Sequence, residues 1–413
     1  MFKLPIRFLL VISLTVILLI SPIAFRVHAQ DDDLNDPNSN QVIVVLKDDA
    51  KDSDTVSSDM AKTHGLEVHH TYKSAVKGYS AKIPKAKLDK VKKDPRVKVV
   101  VEDREVHAFA QTVSTGDSRI QFSTASANKG SGIGVAVIDS GIDLTHPDLV
   151  KNIIAEKSCV KTARTANDDN GHGTHVAGII AALNNTTGVV GVAPEAKLIA
   201  IKVLNSKGSG TISNIVCGID WIITNANKYN IKVANMSLGG GGVSDNNCGK
   251  TDNDVMHQAI CKARDVGITF VVAAGNDGAD ASKSTPAAYD DTVITVSALA
   301  DSDGKPGGKG TSTSYGGDDT FASFSNFGSV VDIAAPGVSI YSTYKGGKYA
   351  TLSGTSMATP FVSGAAALYI KSHVGSSWQQ VRDGLKQLGE ALGSGHTDPS
   401  GKHPEPLVLV GSL

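Results

Sequence analysis

The alternation of apolar and polar positions divides the chain into two folded regions. In residues 41–109, short apolar runs with strand character alternate with stretches of helical periodicity in the order β-α-β-β-α-β, which predicts a small α+β domain. The strands are predicted at Val42–Leu46, Val68–Tyr72, Tyr79–Ile83 and Val97–Val101, and the helices at Thr55–His64 and Pro84–Lys93.

The larger region, residues 110–413, contains apolar runs that are nearly unbroken, as in parallel strands buried on both faces. These runs lie at Val135–Ile138, Leu198–Val203, Val233–Met236, Thr269–Ala274, Val293–Ala298 and Val330–Ala334. Between them, helices are predicted at His172–Leu183, Thr211–Lys228, Asn253–Val266 and Ser356–Ile370. This alternation predicts an α/β fold with a doubly wound, mostly parallel sheet, in which functional residues collect at the carboxyl ends of the strands.

The first 40 residues have a different character. A basic start, the apolar run Phe8–Ile20 and a small residue at Ala29 predict a signal peptide over residues 1–29, cleaved after Ala29, and therefore secretion. A membrane anchor is the alternative, but the run is shorter than the ~20 residues that a spanning helix needs. Residues 30–40 are acidic and polar, which is typical of a linker.

Composition narrows the function classes. The chain of 413 residues carries 40 Lys and Arg against 41 Asp and Glu, and 41% of its residues are hydrophobic. These values are typical of a globular protein and give no basic excess for binding nucleic acid. We expect no nucleic-acid partner, no membrane association after signal cleavage, and a monomer.

Polar residues with catalytic chemistry lie at strand ends and helix starts. Asp139 and Asn276 follow apolar strands, and His172 and Ser356 each open a predicted helix. Taken singly, Asp139 could be a turn acceptor and Ser356 a helix cap. Together they offer a hydroxyl nucleophile, an imidazole base to take its proton, and a carboxylate to stabilise the imidazolium. The Asn276 amide offers a donor to a developing oxyanion.

Four segments carrying these residues resemble the subtilisin-like serine proteases, or subtilases. They are Val137–Ile142, Gly171–Gly178, Ala273–Asn276 and Gly354–Pro360, and the resemblance covers most of residues 110–373. It implies that Ser356 is the nucleophile, His172 the general base and then acid, and Asp139 the orienting carboxylate. Asn276 and the Ser356 N–H would form the oxyanion hole.

The resemblance also implies how the protein is made. Residues 41–109 would be an inhibitory propeptide domain of ferredoxin-like fold, self-cleavage would separate Phe109 from Ala110, and residues 110–413 would be the catalytic domain. The expected partners are peptide and protein substrates and the chain's own propeptide. Two alternatives remain: a binding protein that kept the fold but lost activity, and a kexin-like processing enzyme that cuts after Lys or Arg.

The resemblance places an extended substrate between two chain segments as an added strand, which implies broad specificity. Small residues in the first specificity pocket imply a preference for large apolar or aromatic side chains before the cut. The implied substrate-binding residues are Gly208, Ser209, Gly210, Ser237, Leu238, Gly239, Gly240, Ala273, Ala274 and Gly275.

A calcium site is implied by the same resemblance, since its residues offer the oxygen ligands that Ca²⁺ prefers. Its residues would be Gln111, Asp148 and Asn185 by side chain and Leu183, Thr187 and Val189 by carbonyl. A plain surface loop is the alternative. The loop 301–319 is either a solvated connection or a second calcium site. Zinc binding by His172 and His175 lacks a third ligand at a metalloprotease spacing.

Four cysteines in a secreted chain allow three disulfide pairings. The short separation favours Cys248 with Cys261, and Cys159 would then pair with Cys217. Free buried thiols are the alternative for each residue.

Overall fold

The computed structural model describes residues 39–103 and 111–413. The described residues separate into two compact units, one within residues 39–103 and the other within residues 111–413. The predicted signal peptide with its cleavage site at Ala29, most of the linker, and the processing site at Phe109 and Ala110 lie outside the described residues. Within the described ranges, none of the helices combines the length and apolar character needed to traverse a bilayer.

The N-terminal unit is a four-stranded antiparallel sheet with two helices. Its elements are β1 (Ser39–Leu46), α1 (Ser53–His64), β2 (Glu67–Tyr72), β3 (Gly78–Pro84), α2 (Lys85–Lys92) and β4 (Val97–Glu102). The strand order is β2-β3-β1-β4. Val44, Tyr79 and Ile83 from the sheet and Met60 from α1 are fully buried and form its core. The predicted β-α-β-β-α-β order and the ferredoxin-like fold are confirmed.

The C-terminal unit is built on a mostly parallel eight-stranded sheet in the order β13-β12-β10-β8-β5-β7-β6, with β14 also paired to β12. Its strands are β5 (Gly134–Asp139), β6 (Ile153–Ser158), β7 (Lys197–Lys202), β8 (Ile231–Met236), β9 (Gly240–Gly241), β10 (Thr269–Ala273), β11 (Ser284–Thr285), β12 (Val293–Ala300), β13 (Thr320–Phe321), β14 (Ile333–Pro336), β15 (Ile340–Tyr344) and β16 (Lys348–Leu352). Its helices are α3 (Thr115–Arg119), α4 (His172–Ala181), α5 (Ile212–Asn225), α6 (Val255–Asp265), α7 (Thr355–Ser372) and α8 (Trp378–Leu388).

Helices cover both faces of this sheet, which explains why its central strands are apolar throughout. In β5, Val135 and Val137 belong to the core on the α4 and α7 side. The intervening Ala136 and Ile138 belong to the core on the α5 and α6 side. Because successive side chains of a strand point to opposite faces, both sets must be apolar. The predicted doubly wound sheet is confirmed.

Several features differ from the sequence prediction, which also lacked helix α3, strand β13 and the β15–β16 hairpin. Strand β6 was not predicted, since it lies at the sheet edge and alternates partly exposed with exposed positions. Helix α8 was also not predicted, although Trp378, Val381 and Leu385 have the i, i+3, i+7 spacing of a one-sided helix. The strand predicted at 330–334 begins only at Ile333, because Val331 closes a turn by donating its N–H to the Gly328 carbonyl.

Candidate active site

A buried carboxylate fixes the start of the helix that carries His172. Asp168 accepts hydrogen bonds from the backbone N–H groups of Gly171 and Thr174, at 2.9 and 3.0 Å, and from the hydroxyl groups of Ser140 and Thr174. These bonds satisfy N–H groups that have no partner within the helix. Asp168 therefore holds the first turn of α4, and with it His172, beside the end of β5.

Asp139 and His172 meet at that point. The His172 Nδ1 atom lies 2.8 Å from Oδ1 and 3.0 Å from Oδ2 of Asp139, whose side chain is fully buried. Glycine is required at 173, because a Cβ there would lie 2.1 Å from the Gly141 carbonyl oxygen. Burial alone would lower the pKa of His172, but the charge and hydrogen bond of Asp139, with Asp168 contributing, raise this pKa above its ordinary value.

Ser356 is the second residue of α7 and points toward Ser237. Its Oγ donates to the Ser237 carbonyl oxygen at 3.2 Å, and the Ser237 Oγ donates to the Ser356 carbonyl oxygen at 2.9 Å. Among the described residues, no hydrogen bond joins Ser356 to His172. The carboxylate–imidazole pair is therefore assembled, whereas the contact between the predicted nucleophile and the predicted base is not formed. Such contacts often tighten only when substrate is bound.

The Asn276 side chain has a defined orientation. Its Oδ1 accepts the Thr355 N–H at 2.8 Å and the Thr355 hydroxyl at 2.9 Å. Because a backbone N–H can only donate, the oxygen must face Thr355 and the amide nitrogen must face away. Asn276 is exposed, so its Nδ2 group is available to a bound molecule.

A cavity of about 450 Å³ lies next to Ser356 and Asn276. One wall is the short antiparallel pair β9–β11, in which Gly240 faces Thr285. Of the predicted substrate-binding residues, six line the cavity: Leu238, Gly239, Gly240, Ala273, Ala274 and Gly275. Its further lining residues are Gly241, Asn276, Asp277, Ala279, Asp280, Lys283, Ser284, Thr285, Ala287, Thr355 and Ser356.

The other four predicted substrate-binding residues lie elsewhere. Gly208, Ser209 and Gly210 are exposed in the loop between β7 and α5 and do not line this cavity. Ser237 is buried, and its hydroxyl contacts Ser356 rather than the cavity.

Sequence reasoning missed two groups of residues at the site. Asp168 was not singled out, although an Asn-Asp-Asp-Asn run before Gly171 is a recognisable signal for a capped helix start. The charged lining residues Asp277, Asp280 and Lys283 were also missed, and nothing in their local sequence separates them from surface charge.

The six residues of the predicted calcium site lie together. The carbonyl oxygens of Leu183 and Val189 converge on the Gln111 side-chain amide, at 2.7 and 3.1 Å. Asp148 contacts the Asn185 side chain, and Thr187 contacts Asn185 in turn. Rotating the Gln111 amide by 180° would bring its oxygen to the same point, so the donor set consists of the oxygen types that fit Ca²⁺.

One ring nitrogen of His175 is hydrogen-bonded, and the other, Nδ1, is buried without a partner among the described residues. Its Nε2 donates to the carbonyl oxygens of Ile340 and Ala350, both at 3.0 Å, and burial lowers its pKa to about 4. It is therefore a neutral residue that connects α4 to the β15–β16 hairpin.

Both expected disulfides are present. Cys248 pairs with Cys261, 13 residues apart, and Cys159 pairs with Cys217, 58 residues apart. No cysteine is free, so the free-thiol alternative is wrong.

Comparison with known proteins agrees with this geometry. The profile of the Subtilase family matches residues 130–398, and that of Peptidase inhibitor I9 matches residues 41–109. Subtilisin NAT of Bacillus subtilis subsp. natto is 41% identical over 348 residues, which are 83% of this chain and 83% of that protein. An alkaline protease of Shouchella clausii is 40% identical over 339 residues, 81% of this chain and 80% of that protein.

Among solved structures, a cold adapted subtilisin-like serine proteinase superimposes with a TM-score of 0.58 at 32% identity, covering 71% of this chain and 97% of that one. The two family profiles together include Asp139, His172, Asn276 and Ser356 as well as the N-terminal unit. The chain therefore belongs to the subtilase family and is a serine endopeptidase with an I9 inhibitor domain at residues 41–109.

Proposed function

We propose that the protein is a secreted endopeptidase of broad specificity, which prefers large apolar or aromatic side chains before the cut and is made as a self-processing zymogen. The observation that carries the preference is the cavity beside Ser356, since its walls include Leu238, Ala273, Ala274 and the glycines of β9. The alanines and glycines leave room for a large side chain of the substrate, and Leu238 adds an apolar surface for it.

Catalysis would begin when the Ser356 hydroxyl leaves the Ser237 carbonyl and gives its proton to His172 Nε2. The Ser356 oxygen then bonds to the scissile carbonyl carbon, and the imidazolium is stabilised by Asp139 on the opposite ring nitrogen. The carbonyl oxygen, now negative, is positioned near the Asn276 Nδ2 group and the Ser356 N–H. His172 next donates its proton to the leaving amine, and water repeats the sequence on the acyl-enzyme.

The exposed segment Gly208–Gly210 and the glycines after Ser237 would bind the substrate backbone on its two sides. Both segments have few side chains to obstruct an added strand, and main-chain hydrogen bonds do not depend on sequence. This arrangement supports broad specificity.

We further propose that residues 41–109 inhibit the catalytic unit until the chain is cut between Phe109 and Ala110. A signal peptide over residues 1–29 would direct the zymogen out of the cell. The aromatic residue at 109 is itself of the class that the cavity would accept.

Calcium would bind through Gln111, Asp148, Leu183, Asn185, Thr187 and Val189. When bound, the ion would attract oxygen atoms of both Gln111 and the loop 183–189, and it would so hold the two segments together. The parallel contact between Thr112 and Val189 supports this role, because it already joins the two segments by a hydrogen bond from Thr112 N–H to the Gly188 carbonyl.

Three experiments test the proposal. Ser356→Ala should leave the full-length chain uncut, whereas the parent releases a propeptide ending at Phe109; release by the variant would contradict the assignment. Digestion of an unfolded protein, with the cut sites read by mass spectrometry, should show cuts mainly after large apolar residues. Cuts only after Lys or Arg would favour a kexin-like processing enzyme. A fluorophosphonate should label Ser356, and failure to label it would favour a binding protein without activity.

A further inference from the structure

The geometry points to a second calcium site, formed by Asp301, Asp303 and Asp318 at the end of β12. Each residue offers one carboxylate oxygen, and these three oxygens lie within 4.8 Å of one another. Ca²⁺ binds oxygen at about 2.3–2.6 Å, so two oxygens on one ion can be up to about 5 Å apart. One ion can therefore contact all three carboxylates.

Asp301 provides an independent indication of a cation site. The residue is only 3% exposed, and its Oδ2 atom is buried without any hydrogen-bond partner. Its other oxygen accepts the Gly304 N–H at 3.0 Å. A buried carboxylate oxygen without a donor is costly, and a cation between the three carboxylates would remove that cost.

In the part of the chain that the structure describes, none of the three carboxylates of Asp301, Asp303 and Asp318 forms a salt bridge, although the positive charge of Arg119 acts on Asp301 from nearby. The nearby Arg119 is fully buried and pairs with Asp319 and Glu390 instead. These three carboxyl groups therefore lack a directly bonded cationic partner, and a bound cation would provide one.

The loop also holds the ligands in place. Asp318 accepts the Ser302 N–H at 2.8 Å on one oxygen and the Gly310 N–H at 2.7 Å on the other. Asp303 is exposed, which leaves room for the water molecules that complete the coordination of Ca²⁺. An all-oxygen donor set that is open on one side favours calcium over zinc, which prefers nitrogen and sulfur.

Calcium at this site would join the two ends of the loop 301–319. Asp301 directly follows β12, and Asp318 lies two residues before β13, which pairs with β12 through Leu299 and Phe321. The ion would therefore protect this loop from local opening and from cleavage by the protease itself.

The test compares hydrogen–deuterium exchange of the full chain carrying Ser356→Ala, with and without calcium. If the site has a dissociation constant of about 0.1–1 mM, typical of extracellular modules, then about 5 mM Ca²⁺ should slow exchange in residues 301–319 roughly 6- to 50-fold. Asp301→Asn and Asp303→Asn should abolish this slowing in 301–319 and preserve any calcium effect at 183–189. Asp220→Asn, an exposed carboxylate on α5, is the matched control and should change neither.

The proposal is overturned if calcium does not slow exchange of 301–319 in the parent, or if both loop variants keep the slowing. Asp303 is exposed and makes one backbone contact, so Asp303→Asn should fold even if Asp301→Asn does not. Because the readout is local exchange and not proteolysis, it is independent of the catalytic assignment. The 183–189 segment reports separately on the first calcium site.

Discussion

The imidazole of His172 is held by both carboxylate oxygens of Asp139, at 2.8 and 3.0 Å from Nδ1. Asp139 is also held, since its Oδ1 accepts the Ser140 N–H at 2.6 Å. This arrangement leaves Nε2 as the nitrogen that can take a proton, and it favours the protonated ring.

The first prediction concerns pH. A base acts only when neutral, so kcat/KM should fall as pH decreases through the pKa of His172, which Asp139 raises above the ordinary value of about 6.5. Asp139→Asn should shift the acid limb to lower pH and reduce kcat by about 10⁴. A pH profile measured on a small peptide substrate checks both effects. An unshifted limb in the variant would contradict the role of Asp139.

The second prediction concerns Asn276. Asn276→Asp keeps an oxygen for the Thr355 N–H but removes the Nδ2 donor. We expect kcat to fall by at least ~10²–10³, the magnitude measured for the oxyanion donor of a subtilisin, with little change in melting temperature. Steady-state kinetics and a thermal melt on the same preparation separate the two effects. Unchanged kcat would rule out Asn276 as a donor.

The third prediction concerns calcium at the loop 183–189. A free calcium concentration of 100 times the dissociation constant would stabilise the folded state by about 2.7 kcal/mol. A chelator should therefore lower the melting temperature by several degrees. Asp148→Asn should reduce this chelator effect, because Asp148 is the one carboxylate of that site. An equal effect in variant and parent would place the stabilising ion elsewhere.

The fourth prediction concerns Glu390. Burial alone would raise its pKa, but hydrogen bonds from His396 and Arg119 lower it to about 2. A depressed carboxyl pKa contributes stability above its unfolded value of about 4.5 that is lost as pH falls through about 2. Glu390→Gln should lower the free energy of unfolding at pH 7 by roughly 3 kcal/mol.

Urea denaturation at several pH values checks this prediction. The difference between the parent and Glu390→Gln should shrink below about pH 4.5 and vanish below about pH 2. A difference independent of pH would mean that the side-chain shape, and not its charge, matters.

The elements that the sequence predicts well are those whose burial dictates their composition. Strand β5 must be apolar because both of its faces are covered, and Asp139 is conspicuous at its end for that reason. The four catalytic candidates could be found because each lies next to glycines or a helix start that local sequence reveals.

Contacts between distant segments could not be predicted. The hydrogen bond between Ser356 and Ser237 joins residues 119 apart in the chain, and no local sequence pattern predicts it. The sequence also does not predict that Lys202 is buried, because lysine at a strand end is usually solvated. Its ammonium group donates hydrogen bonds to Ser140, Asp169 and Leu204. Tertiary packing decides such contacts.

Helix α7 has a consequence for how the enzyme would fail on heating. It runs for 18 residues from Thr355, most of them buried, and it contacts strands on the central sheet as well as α4. Ser356 therefore lies at the start of a helix packed into the core of the C-terminal unit, and we expect thermal inactivation and unfolding of that unit to share one transition.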